Sequence, residues 1–271
     1  MSAQSTIGPL VGINIDDVRR GIKPGLRLAS SLGFPVVELT TVAGDLAPSN
    51  LSLSGRRHLR RIVDGLGLQL ASLAADFPQL RFSDPRTVGE RVERSCEVIE
   101  LAADLKVPVV TASAGRLTVP NTREPSPLVL EALRRIGEFA DSRGTIFGIR
   151  PSYDGGDRLV GVMDNLACPF VGVGLDPAAL VMTGADPLER IERFVEQIVA
   201  VQARDGTVGG GELAGHETPL GDGDVDWPTL LAVLRAAEYR RPFIVRRTGS
   251  ANPGPDLLAA CDALKRMLGR A

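Results

Sequence analysis

Two arginines end short apolar runs in the second half of the chain, Arg150 in TIFGIRPS and Arg246 in RPFIVRR. Guanidinium groups brought side by side bind carboxylates and phosphates through paired hydrogen bonds, so this pair is a candidate anion site. Glu38 closes an earlier run, PVVELT, and is a candidate pocket residue, as proton carrier or as partner of either arginine. Asp205 in QARDG and Asp76 in ASLAAD follow two further runs, where a turn or cap role competes with catalysis. Tyr153 and Asp154, just past Arg150, are candidates for the rim. There are two histidines. His58 sits among Arg56, Arg57, Arg60 and Arg61 on a helix pattern and reads as solvated. His216 lies in GTVGGGELAGHETPLGDGD, a glycine-rich loop able to close over a ligand. Asp226 before Trp227 and Pro228 reads as a helix N-cap.

The elements that must position these residues alternate from end to end. Strand patterns fall at 10–15, 35–40, 68–73, 108–113, 145–152, 170–177, 196–203 and 241–247. Helical periodicity falls at 24–32, 54–66, 86–105, 127–142, 157–166, 186–194, 227–237 and 255–268. Eight strand–helix units imply a parallel sheet with right-handed crossovers. In 271 residues with no dividing linker, that predicts one α/β domain over 1–271, a closed (β/α)8 TIM barrel. An open doubly wound sheet is the alternative, but GINIDD after the first strand lacks the phosphate-binding glycine pattern of that fold.

Composition narrows the function classes. Hydrophobic residues make up 44% and charged residues 24%, as in an ordinary globular protein. A net charge of −2 gives no support for nucleic-acid or membrane-surface binding through overall charge. The N-terminal stretch reads as neither a signal peptide nor a membrane span, and the expected location is cytoplasmic. Cys96, Cys168 and Cys261 are far apart and form no CxxC pair, so they read as small hydrophobes in a reducing compartment.

Several segments, taken together, resemble the xylose isomerase-like TIM barrels of the sugar phosphate isomerase/epimerase group. They are LRLASSLGFPVVELT, GLGLQLASL, VERSCEVIELAADLKVPVVTASAG, VGVGLDPAALVMTGADP, VQARDG and PLGDGDVDWPTLLAVLRAAEYRRPFIV. Their order and spacing carry the resemblance over nearly the whole chain. It implies a divalent cation at the C-terminal mouth, held by Glu, Asp, His and Glu from the ends of strands five to eight, which polarises a carbonyl while a carboxylate moves a proton. Those four positions fall on Arg150, Asp176, Gln202 and Arg246, so only the Asp is kept. A further family His or Asn falls at Ala179, and the His expected after the third strand is replaced within Leu73, Ala74 and Ala75.

An arginine about 5 Å from a divalent cation repels it by roughly 7 kcal/mol at an effective dielectric of 20. The expectation is therefore no family-type metal and no other cofactor. Arg150 and Arg246 are expected to neutralise Asp176 and fill the metal's space, to bind a small anionic or sugar-like ligand, or to do both. An active isomerase or epimerase using Glu38, Asp176 or Asp205 is an alternative, as is a scaffold that binds a partner. Abasic-site endonucleases share the fold but need many His, Asp and Glu ligands, which are lacking here.

Overall fold

In the computed structural model, residues 9–151, 155–210 and 215–269 are described. The strands are β1 (Val11–Asn14), β2 (Val36–Thr40), β3 (Gln69–Ala74), β4 (Val109–Gly115), β5 (Ile146–Pro151), β6 (Val171–Leu175) and β7 (Ile198–Ala203), then β8 (Asp205–Thr207), β9 (His216–Thr218) and β10 (Phe243–Val245). Strands β1 to β7 and β10 close a parallel barrel in which β1 pairs with both β2 and β10. The (β/α)8 expectation holds. The strands are almost wholly buried, as a parallel sheet covered on both faces requires, and this is why they read as continuous apolar runs.

The outer ring comprises α1 (Ile22–Ser31), α2 (Leu53–Gly65), α3 (Val88–Leu105), α4 (Pro127–Arg143), α5 (Gly156–Leu166), α6 (Pro177–Met182), α7 (Trp227–Ala236) and α8 (Pro253–Leu268). Local signals set their ends. The Ser52 hydroxyl caps α2, the Asp226 carboxylate caps α7, and Pro127 sits in the first turn of α4. Gly144 ends α4 in the left-handed region at φ 65°.

Two expected elements differ. Residues 186–194 form no α-helix; short 3-10 turns stand at Ile191–Arg193 and Val195–Gln197 instead. The sixth crossover helix is α6, capped by Asp176 and led by Pro177, and Gly184 at φ 80° turns the chain after it. The eighth barrel strand is also shorter than 241–247. It ends at Val245, because Arg246 and Arg247 leave the sheet for partners at the mouth. The glycine-rich segment after β7 contains a β8–β9 hairpin that the periodicity did not predict.

Cys261 is buried, and burial pushes its thiol up to about 12. Half-buried Cys96 and Cys168 pack against the core. The cysteines thus behave as small apolar groups. Among the described residues, no helix is long and apolar enough to cross a membrane.

Candidate functional site

At the C-terminal end of the barrel, the strands deliver a ring of polar side chains onto one carboxylate. A register shift between Val37 and Glu38 sets Glu38 opposite Ser72 on β3 and Asn14 on β1. The Ser72 hydroxyl donates to Oε2 at 2.8 Å, and the Asn14 amide donates to Oε1 at 2.8 Å. Thr111 from β4 adds a bond to Oε2 at 3.4 Å, and Gln202 from β7 adds one to Oε1 at 3.3 Å. Arg246 reaches Oε1 at 3.5 Å. Glu38 is thus the floor of the mouth, 1% exposed, with both oxygens engaged.

Arg246 reaches Glu38 as expected, but the shorter ion pairs of the two arginines are to Asp17 and Asp76, which the sequence does not pair with them. Arg246 donates Nε and Nη2 to the two oxygens of Asp17 at 2.8 and 3.0 Å, a fork-to-fork pair. Asp17 lies in the turn after β1 and also accepts the Arg247 backbone N–H. Burial alone would make the Arg246 guanidinium easier to deprotonate, but its bonds to Asp17 and the nearby charge of Glu38 raise its pKa on balance. Arg150 donates Nη2 to Asp76 and Nη1 to Oε1 of the Gln202 side chain. Asp76 is pushed up by burial, yet the Arg150 charge and the Ser113 N–H outweigh this and hold it below the ordinary carboxylate value. Gly174 on β6 makes room for the Arg150 stem, because a Cβ there would come within 2.7 Å of Arg150 Cγ.

Asp176 has a different partner from those expected. Its Oδ1 caps α6 and its Oδ2 pairs with Arg204 at 3.0 Å. Arg204 continues to Glu217 on β9, and Glu217 binds Arg247 at 2.9 Å. The network carries six carboxylates (Asp17, Glu38, Asp76, Asp176, Glu217 and Asp256) against four guanidiniums (Arg150, Arg204, Arg246 and Arg247). The network as a whole is therefore acidic, although the four aligned positions alone carry two arginines against one aspartate. The Nε–H groups of Arg150, Arg204 and Arg247 are buried and have no hydrogen-bond partner.

Glu38, Arg150, Gln202 and Arg246 therefore meet in one hydrogen-bonded cluster, with Asp176 on an adjoining chain of pairs. Asp205 does not join them. Its oxygens accept N–H groups from Gly206, Gly221 and Val225 and the indole N–H of Trp227 at 3.0 Å, which makes it a tie between the hairpin and α7. His216 is exposed on β9 beside Thr207, and His58 is exposed on α2. Tyr153 and Asp154 lie outside the described residues.

The sequence reading missed Asn14, Asp17, Ser72, Thr111, Arg204, Glu217 and Arg247. Strand-end position was a signal for Asn14, Ser72 and Thr111. The rest sit in turns or in the unexpected hairpin. Arg91 on α3 was also missed. Its guanidinium lies over Phe82 at 4.6 Å and donates to the carbonyls of Ala75 and Ser113, tying the ends of β3 and β4 beside Asp76. Burial lowers its pKa to about 10. Among the described residues, no group of three His, Cys, Asp or Glu side chains is placed to hold a metal ion.

Comparison with known proteins matches this architecture. A model of the xylose isomerase-like TIM barrel family matches residues 26–267. A xylose isomerase domain protein from Planctomyces limnophilus superposes with a TM-score of 0.82 at 20% identity, over 97% of this chain and 98% of that one. A D-tagatose 3-epimerase-like protein superposes at 0.76 and 16% identity, over 96% and 97%. A xylose isomerase-like TIM barrel protein from Mycobacterium smegmatis, solved in complex with magnesium, superposes at 0.69 and 17% identity, over 95% and 98%. No curated protein matches the chain. At these identities the likeness to solved structures concerns the fold.

Proposed function

Since the chain belongs to the xylose isomerase-like TIM barrel family, we propose that it is a metal-independent member whose barrel mouth binds a small, oxygen-rich, sugar-like or anionic molecule without the family's metal chemistry. The observation that carries this reading is the state of the carboxylates. Glu38 accepts five donors, Asp17 is spanned by a guanidinium, and Asp76 and Asp176 are each bonded through both oxygens. A divalent cation needs free oxygen or nitrogen lone pairs converging on one point. Here the positions that would supply them are taken by arginine side chains or face them, so the residues present do not fit such an ion. The buried polar atoms left without a partner around the mouth are the Nε–H groups of Arg150, Arg204 and Arg247 and the Thr218 hydroxyl, all able to donate to a ligand oxygen once the side chains shift. Hydroxyl and carboxylate oxygens satisfy donors; cations do not.

The saturation of Glu38 also bears on catalysis. A general base needs a lone pair within reach of the proton it takes. Glu38 is 1% exposed and fully engaged, so its role on this reading is to fix Asn14, Ser72, Gln202 and Arg246 rather than to turn over substrate.

A thermal-shift screen of sugar acids and polyols tests the reading. Stabilisation by at least one compound, weakened in both Arg150→Ala and Arg246→Ala, is expected. A screen without stabilisation, or stabilisation unchanged in both variants, overturns it.

A further inference from the structure

Beside the mouth, on the same face of the barrel, lies a second cavity that shares no residue with the Glu38 network. Its volume is about 620 Å³, within the range of small-molecule sites. Three arginines from two loops line it: Arg116 and Arg123 from the segment between β4 and α4, and Arg158 from the first turn of α5. Thr122 and Thr183 also line it, with their hydroxyls donated to the Val119 and Leu180 carbonyls, and among the described residues Glu189 is its one lining carboxylate.

The walls are built rather than loose. Gly115 at φ 65° turns the chain out of β4, and the loop beyond it folds back on itself. Val119 N–H donates to the Glu124 carbonyl at 2.9 Å, and Ser126 N–H donates to the Leu117 carbonyl at 2.9 Å. This presents Arg116 and Arg123 from one closed turn. On the facing wall, Gly155 begins α5 without a side-chain cap, and a Cβ there would meet the Glu189 carboxylate at 2.6 Å. The α5 N-terminus is therefore covered by Glu189, whose carboxylate offsets the helix's partial positive charge and leaves the cavity's positive charge to the arginines.

The charge is also unspent. Arg123 reaches Asp157 only at 3.3 Å with its own side chain 78% exposed, and Arg190 shares that carboxylate. Neither Arg116 nor Arg158 makes an ion pair with a described carboxylate. This contrasts with the mouth, where each guanidinium has a carboxylate partner. Among the described residues, two guanidiniums without a carboxylate partner and one loosely held share this polar cavity with a single lining carboxylate, a charge pattern that suits a compact multivalent oxyanion.

We propose that this cavity is a phosphoryl-binding site, which takes inorganic phosphate or the phosphate end of a phosphomonoester. It goes beyond the reading of the mouth and stands or falls apart from it. The test is calorimetric titration of the full chain with inorganic phosphate, glucose 6-phosphate and glucose. Both phosphates are expected to bind, and the double variant Arg116→Ala/Arg158→Ala to weaken both by about tenfold or more. Its thermal midpoint should stay close to that of the wild type, since neither side chain makes an ion pair with a described carboxylate. Glu189→Gln, which removes the opposing charge, is expected to tighten both. Tighter glucose 6-phosphate than phosphate identifies an esterified ligand, and equal affinity identifies free phosphate; either supports the site. The proposal is overturned if phosphate does not bind, if the double variant binds like the wild type, or if the exposed pair Arg57→Ala/Arg61→Ala on α2 weakens binding equally. It is also overturned if Arg150→Ala abolishes phosphate binding while the cavity variant keeps it. That result would move the anion to the mouth and leave the mouth reading standing.

Discussion

Asp17 does more at the mouth than its place in a short turn suggests. It neutralises Arg246 through two bonds and accepts the Arg247 backbone N–H as a third, and it is nearly buried. Removing one member of a buried pair strands the other charge in a poorly solvating place, at a cost of about 3–5 kcal/mol. Asp17→Ala should therefore lower the free energy of unfolding by about 3 kcal/mol or more in urea denaturation. A change below about 1 kcal/mol would mean that Arg246 finds water or another carboxylate instead. Asp76 gives a pH signature at the same scale. Its folded pKa lies below its ordinary value of 3.8, so the stability it contributes is complete above that value and is lost as pH falls through the folded one. Wild-type urea midpoints should fall as pH drops below about 4, and Asp76→Asn should flatten part of that fall while starting from a lower midpoint at pH 7. The residue types at the strand ends were legible in the sequence, including Arg150 and Arg246, and so was Glu38 as a partner of Arg246. Their other partners were not. Asp17, Arg204 and Glu217 reach the mouth only because distant turns are brought together by barrel closure, and no local periodicity records that.

Elements with strong local signals were legible, and those whose ends depend on tertiary contacts were not. The helices α2, α4 and α7 begin at caps or prolines visible in the sequence. The pattern at 186–194 was misread because helical spacing of apolar residues there serves irregular turns packed on the core. Arg190, left-handed at φ 60°, breaks any continuous helix. The hairpin was hidden because β8 and β9 have three residues each and a glycine-rich link. What fixes it is Asp205, whose four accepted bonds join β8, the segment before α7, and Trp227. Asp205→Ala leaves those donors without their acceptor, and buried unsatisfied donors cost about 1–3 kcal/mol each. A loss of about 3 kcal/mol in stability is expected. Trp227 is the only tryptophan in the chain, so its fluorescence reports the event without ambiguity. The indole loses its partner and the emission should shift. Unchanged emission and stability would show that Asp205 is dispensable to the hairpin and return it to the pool of mouth residues.

At the scale of the whole molecule, barrel architecture and mouth chemistry separate. The barrel depends on apolar strands, crossovers and caps, which this chain shares in outline with proteins at 14–20% identity. The mouth depends on a handful of strand-end side chains, which can change without disturbing the layers beneath. The two are linked through charge balance. A cluster of acidic ligands stays buried only if a cation joins it, whereas each carboxylate here is paired with a guanidinium from the same chain. The fold should then gain nothing from a divalent ion. A site with a dissociation constant a hundredfold below the metal concentration would add about 2.7 kcal/mol, which for a chain of this size raises the melting midpoint by about 5 °C or more. Melting after exhaustive chelation and again in millimolar manganese, magnesium or zinc should give midpoints equal to within about 1 °C. A rise of several degrees with any one of them would require Arg150 or Arg246 to leave its carboxylate, and would return the mouth to metal chemistry. Equal midpoints would instead assign to internal ion pairs the neutralising role that a bound cation plays in an acidic barrel mouth.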